Sequence, residues 1–163
     1  MMTKKEQDII FNQWLVEFKP LLFKIVRIYA PTRAEDNDLF QEIVIQVWRS
    51  VSNYKEQSSV HTWIYRVALN TAIKWSVRNK SKKNVVLKDE VVLILSTNES
   101  NEKLDWLYME ISRLGKVERS LTLLMLDGFS YKEMSEIVGI STSLVGVKIS
   151  RIKKHLQERA KSI

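Results

Sequence analysis

The sequence predicts an all-α protein made of two small helical domains joined by a linker. Apolar residues recur at helical spacing through most of the 163 residues, only four glycines and two prolines interrupt them, and the helical period lapses once, between Ser81 and Lys103. A first helix is expected from about Lys5, carrying Ile9, Ile10, Trp14 and Phe18. Pro20 is tolerable near the start of a new helix, and Leu21, Leu22, Ile25, Val26 and Tyr29 continue the stripe until Pro31. TRAEDND then reads as a turn whose acidic residues suit the positive end of the helix that begins at Asp38.

That next helix, DLFQEIVIQVWRSV, places Leu39, Phe40, Ile43, Val44, Val47, Trp48 and Val51 inward and Asp38, Gln41, Glu42, Ile45 and Arg49 outward. Its outer face has two carboxylates one turn apart and suits docking on a protein. The polar loop SNYKEQSS follows. The third helix, VHTWIYRVALNTAIKWSVRNK, turns Ile64, Val67, Ala68, Thr71 and Trp75 to one side and Trp63, Arg66, Asn70 and Lys74 to the other. An aromatic ring, an amide and two cations in one row suit nucleic acid.

After the linker, whose apolar run Val91 to Leu95 fits either a short packed element or a docking segment, the period resumes through Trp106, Leu107, Ile111 and Leu114 and breaks at Gly115. KVERSLTLLMLDGF then ends at Asp127 and Gly128, a helix stop. SYKEMSEIVGISTSLVGVKISRIKKHLQ has the pattern of a helix-turn-helix. Ser130 and Glu133 have capping-box spacing, Met134, Ile137 and Val138 face inward, and Gly139 stands where a tight turn needs positive φ. Ser141 or a neighbour caps the last helix, which buries Val145, Ile149, Ile152 and Leu156 and presents Ser143, Val147, Ser150, Arg151 and Lys154. From Ser141 onward six cations (Lys148, Arg151, Lys153, Lys154, Arg159 and Lys161) face one carboxylate, Glu158.

Charge and composition point the same way. Lys plus Arg outnumber Asp plus Glu by 26 to 19, a net +7 that fits a phosphate-rich partner. The absence of cysteine excludes disulfides and thiolate metal sites, and His61 and His155 lie too far apart for a zinc motif. No Gly-rich phosphate loop or nucleophile–base constellation suggests an enzyme, so no catalytic residue, cofactor or metal is expected. MMTKKEQDII has no apolar signal core and no apolar run reaches the roughly 18 residues a membrane helix needs, so a cytoplasmic chain without membrane insertion is expected.

Three segments, in order and at matching spacing, resemble the extracytoplasmic-function (ECF) sigma factors of bacterial RNA polymerase. DLFQEIVIQVWRSVSNY is similar to sigma regions 2.2 to 2.3, TWIYRVALNTA to region 2.4, and LDGFSYKEMSEIVGIS to region 4.2. The resemblance implies region 2 over 5–80, a linker over 81–103 and region 4 over 104–163. It implies that Asp38, Gln41, Glu42, Gln46 and Arg49 dock on the β′ clamp helices of core polymerase, with the β flap as a further partner. The loop from Asn53 to His61, Ser58 included, would hold a flipped base of the -10 element, with Tyr54 and Asn70 at matching positions; Trp63 is read either as part of this pocket or as a partly buried core residue.

Arg66, Lys74 and Arg78, with Lys80, Lys82 and Lys83, would track phosphates, and Ser143, Gly146, Val147, Lys148, Ser150, Arg151 and Lys154 would face the -35 element. Arg151 is the expected base reader, Lys148, Lys153 and Lys154 suit phosphate, and Gly146 would let backbone approach DNA. An anti-sigma partner is implied as well. The chain departs from the family where Val145, Gly146, Val147 and Lys148 stand in place of Val-Lys-Ser-Arg, and where Gly115 replaces a common proline. The competing expectation is a stand-alone helix-turn-helix regulator, which would have no need of TWIYRVALNTA or DLFQEIVIQVW.

Overall fold

The computed structural model describes residues 1–30, 32–82 and 101–162, with 80–82 as backbone only. Pro31, Lys83, the side chains of Lys80 and Lys82, and the linker run Val91 to Leu95 lie outside the described residues. No strand occurs among the described residues, and the chain divides into two compact units, Met1–Ser100 and Asn101–Ile163.

The first unit packs three helices pairwise: α1 (Lys4–Tyr29), α2 (Arg33–Ser50) and α3 (Val60–Lys82), with a 3-10 turn at Val51–Asn53 after α2. Thr3 and Glu6 form a capping box that starts α1, satisfying N–H groups left over at the helix end. Pro20 lies inside α1 and does not open a new helix. The ring removes the amide that would bond the Val16 carbonyl, but Val16 is 81% exposed, so the interruption falls on the solvent side of α1 and the helix runs on. Likewise TRAEDND is the opening of α2 and not a turn before it: α2 starts at Arg33, and Glu35 and Asp36 in its first turn complement the helix dipole.

Leu22, Ile25, Val26, Leu39, Ile43, Val47, Ile64, Ala68 and Trp75 form the shared core. Phe40, Val44 and Trp48, expected inward, are only half-buried, because they sit on the flank of α2. There the Phe40 ring stacks on Phe23 with centroids 4.8 Å apart. The Trp48 indole donates to Asp8 Oδ1 at 2.7 Å, and Gln7 Nε2 donates to the Trp48 carbonyl at 2.7 Å. On α3 the buried arc is wider than periodicity suggested, taking in Tyr65, Leu69 and Ala72 as well.

The second unit contains α4 (Glu102–Ser112), α5 (Lys116–Leu126), α6 (Tyr131–Val138) and α7 (Thr142–Ala160). Ile111, Leu121, Leu124, Met134, Ile137, Val145, Ile149 and Ile152 form its core. Turn chemistry aims the last helix. Ser130 and Glu133 make a reciprocal capping box on α6, Gly139 closes α6 at φ +80, and Ser141 Oγ accepts the Leu144 amide at 3.2 Å to start α7. Gly128 likewise ends α5 at φ +82.

Candidate nucleic-acid interface

Asp38, Gln41 and Arg49 are exposed on α2, whereas Glu42 and Gln46 are half-buried on the flank toward α3. Two of these side chains already have partners inside the unit. Asp38 Oδ2 accepts the indole N–H of Trp75 at 3.1 Å, and Glu42 is ion-paired with Arg78. Trp75 is only 2% exposed, so the Asp38 carboxylate satisfies a donor that water cannot reach. Arg78, expected to track phosphate, is thereby engaged on the α2 side.

The loop after α2 builds an aromatic cradle. Tyr54 donates its hydroxyl to the Ser58 carbonyl at 2.6 Å, closing the loop on itself while Glu56 takes φ +58. The Tyr54 ring stands edge-on to Trp14, 5.5 Å between centroids, and tilted against Trp63 at 5.6 Å. Trp63 Nε1 donates to Ser50 Oγ at 3.2 Å, and Ser50 Oγ donates to the Val47 carbonyl at 2.7 Å. Trp63 is thus half-buried and anchored, in agreement with its reading as a partly buried residue.

Arg66 is half-buried, and Asn70 and Lys74 are exposed, continuing the row from Trp63 along α3. Asn70 lies about 10 Å along the helix axis from Trp63, reckoned from the helical rise, and makes no hydrogen bond to the loop. Trp14 and Ser50 support this cradle and were not singled out from the sequence. Trp14 belongs to a distant helix and was read only as part of an apolar stripe. A further ring contact, Phe18 on His61 at 5.7 Å, seats the start of α3 on α1.

On α7, Ser143, Val147, Ser150, Arg151 and Lys154 are exposed along one face. Gly146 and Lys148 are not on that face. Gly146 turns toward α6, where a β-carbon would meet Tyr131 Cε2 at 3.6 Å, so its neighbour is an aromatic ring of the same unit. Lys148 Nζ donates to Glu118 Oε1 on α5 at 2.7 Å. That hydrogen bond, opposed by burial, holds the Glu118 carboxyl below its ordinary value.

Farther along α7, Arg159 grips Glu110 of α4 through Nε at 3.1 Å and Nη2 at 3.0 Å, and Arg113 adds a contact at 3.1 Å. Glu110 is 2% exposed, and the Arg159 hydrogen bonds keep its carboxyl depressed against the cost of burial. Two of the cations counted on the C-terminal helix therefore neutralise internal carboxylates. Glu110 sits among the apolar residues of α4 and gave no signal of its pairing in the sequence. Among the described residues no His, Cys, Asp and Glu grouping can hold a metal ion, and no helix is long and apolar enough to cross a membrane.

A helical unit with an aromatic cradle and basic row, followed by a helix-turn-helix unit, is the architecture of a transcription initiation factor, and the comparisons bear this out in both halves. Residues 15–82 match the family model Sigma-70 region 2, and residues 104–156 match Sigma-70, region 4. The chain is 25% identical to the ECF RNA polymerase sigma-E factor of Escherichia coli K12, over 99% of this chain and 92% of that protein. It is 23% identical to the sigma-E factor of Haemophilus influenzae, over 96% and 88%.

In fold it is similar to the sigma factor RpoE of Bartonella quintana, solved with the anti-sigma factor NepR, at a TM-score of 0.75, 21% identity and coverage of 93% of this chain and 96% of that one. CnrH, solved with the cytosolic domain of CnrY, superposes at a TM-score of 0.66 with 14% identity, covering 93% and 88%. The chain belongs to the ECF family of sigma factors. It acts in the initiation of transcription, and the match to region 2 disfavours a stand-alone helix-turn-helix regulator.

Proposed function

We propose that residues 5–80 bind core polymerase and the -10 element, that 81–103 link, and that 104–163 bind the -35 element, so that the chain melts promoter DNA without catalytic groups of its own. The observation that carries this is the aromatic cradle of Trp14, Tyr54 and Trp63 at the head of a row running through Arg66, Asn70 and Lys74. A base turned out of the duplex stacks on such rings for about 1–3 kcal/mol and offers its Watson–Crick edge to an amide. Asn70 is the amide of this row. Ser58 contributes its backbone carbonyl to the loop that carries Tyr54.

Asp38, Gln41, Glu42, Gln46 and Arg49 form the docking face for the β′ clamp helices, and the second unit also meets the β flap. In this reading Ser143, Val147, Ser150, Arg151 and Lys154 meet the major groove, with Arg151 reading a guanine. Like RpoE of Bartonella quintana, solved with the anti-sigma factor NepR, the chain takes an anti-sigma factor as partner, and it works in the cytoplasm. The test is reconstitution with bacterial core polymerase on promoters selected from random templates. Transcription from defined starts supports the reading; DNA binding without core affinity overturns it. Asp38→Asn with Glu42→Gln should lower core affinity, and unchanged affinity sinks the docking face.

A further inference from the structure

Gly115 is the N-cap of α5, and Glu118 is the third residue of that helix. The two oxygens of the Glu118 carboxylate have different surroundings. Oε1 accepts from Lys148 Nζ at 2.7 Å, while Oε2 lies 2.6 Å from the place a β-carbon on residue 115 would occupy. A β-carbon cannot sit that close to an oxygen. The opposing atom is the far end of a flexible side chain, so in a variant with a side chain at 115 the carboxylate would swing away and the α5 backbone would stay.

Lys148 is one turn from Arg151 on α7 and shares the flank of the face that carries Val147 and Lys154. Its side chain is 27% exposed, and that of Glu118 is 32% exposed, so the pair is shielded on both sides without being sealed from solvent. Leu114, Ile152, Arg151 and His155 line the shallow cleft around it.

We propose that Gly115 leaves room for the folded-back Glu118 carboxylate, which ties Lys148 to α5, so that α7 approaches DNA with one cation fewer than its sequence contains. Glu118 is then a positioning residue: it holds α7 against α5 and keeps Lys148 off the phosphates. The proposal rests on the assignment of α7 to duplex DNA made above.

Two readouts on the full chain test it. With limiting acetic anhydride, Lys148 should acetylate more slowly than the exposed Lys153 and Lys154, and Gly115→Ala should bring it to their rate. In binding to a 20-base-pair duplex of random sequence, wild type and Lys148→Gln should share one slope of log K against log salt. Gly115→Ala should steepen that slope by about 0.9, the contribution of one phosphate contact, and adding Lys148→Gln should restore it. Glu118→Gln should act as Gly115→Ala does, and replaces it if the alanine variant does not fold.

A shallower slope for Lys148→Gln alone, or acetylation of wild-type Lys148 at the rate of its neighbours, overturns the proposal. Lys154→Gln separates the two claims, since it removes an exposed cation suited to phosphate and should flatten the slope by about 0.9. If it does not, the assignment of α7 to DNA fails, while the acetylation rates still decide whether Glu118 holds Lys148.

Discussion

Asp38 accepts the N–H of Trp75, an indole that is 2% exposed, so one carboxylate serves both the surface and the core. Asp38→Ala would leave that donor buried without its acceptor, at a cost of about 1–3 kcal/mol in unfolding by denaturant. Asp38→Asn keeps an acceptor and should cost much less, which makes it the substitution for testing docking. Gly146 leads to the opposite expectation. A β-carbon there meets Tyr131 at an ordinary van der Waals distance, so Gly146→Ala fills no forbidden space and should stabilise the second unit by about 0.5–1 kcal/mol through helix propensity. A lower melting temperature for this variant would contradict that placement.

What the sequence revealed about single residues followed from period and chemistry. The outward positions of Asn70, Lys74, Arg151 and Lys154 could be read directly, because a helix of known register has only one exposed arc. The pairings of Asp38 with Trp75, Lys148 with Glu118 and Glu110 with Arg159 could not, since each joins residues at least thirty positions apart and no local pattern reports them.

At the scale of elements, short polar motifs were more informative than proline. The Ser130–Glu133 box, the Gly139 turn and the Ser141 cap were legible because each satisfies backbone groups within a few residues. TRAEDND does mark a helix start, with its acidic residues in the first turn of α2 and not ahead of it, whereas a proline ends a helix only when packing does not carry the helix through it. The buried stripe on both sides of Pro20 does so in α1.

The α4–α7 and α5–α7 ties also set the acid behaviour of the second unit. Glu110 and Glu118 both have carboxyls lowered from the ordinary 4.5, the first mainly by Arg159 and the second mainly by Lys148. Groups depressed on folding add stability that is present above the unfolded value and lost as pH falls through the folded one. The second unit should therefore weaken as pH drops below about 4.5, and Glu110→Gln with Glu118→Gln should flatten that limb in a pH series of melting temperatures. An unchanged limb would show that neither tie contributes to folding.

For the whole molecule, each unit has its own core, and both units contribute to the net +7. The family could be read from the sequence because three motifs fell in order across both units. The cradle beneath the -10 assignment could not be fully read, because Trp14 reaches it from α1 through tertiary packing alone. In the proposed function, α3 and its preceding loop hold an unpaired base while phosphate contacts hold the duplex. The most direct measurement places a fluorescent adenine analogue in the -10 element and follows promoter opening by reconstituted polymerase alongside closed-complex affinity. Asn70→Ala should lower opening at least tenfold, about 1.4 kcal/mol, with closed-complex affinity nearly unchanged. Equal loss of both, or opening at the wild-type level, would contradict the account.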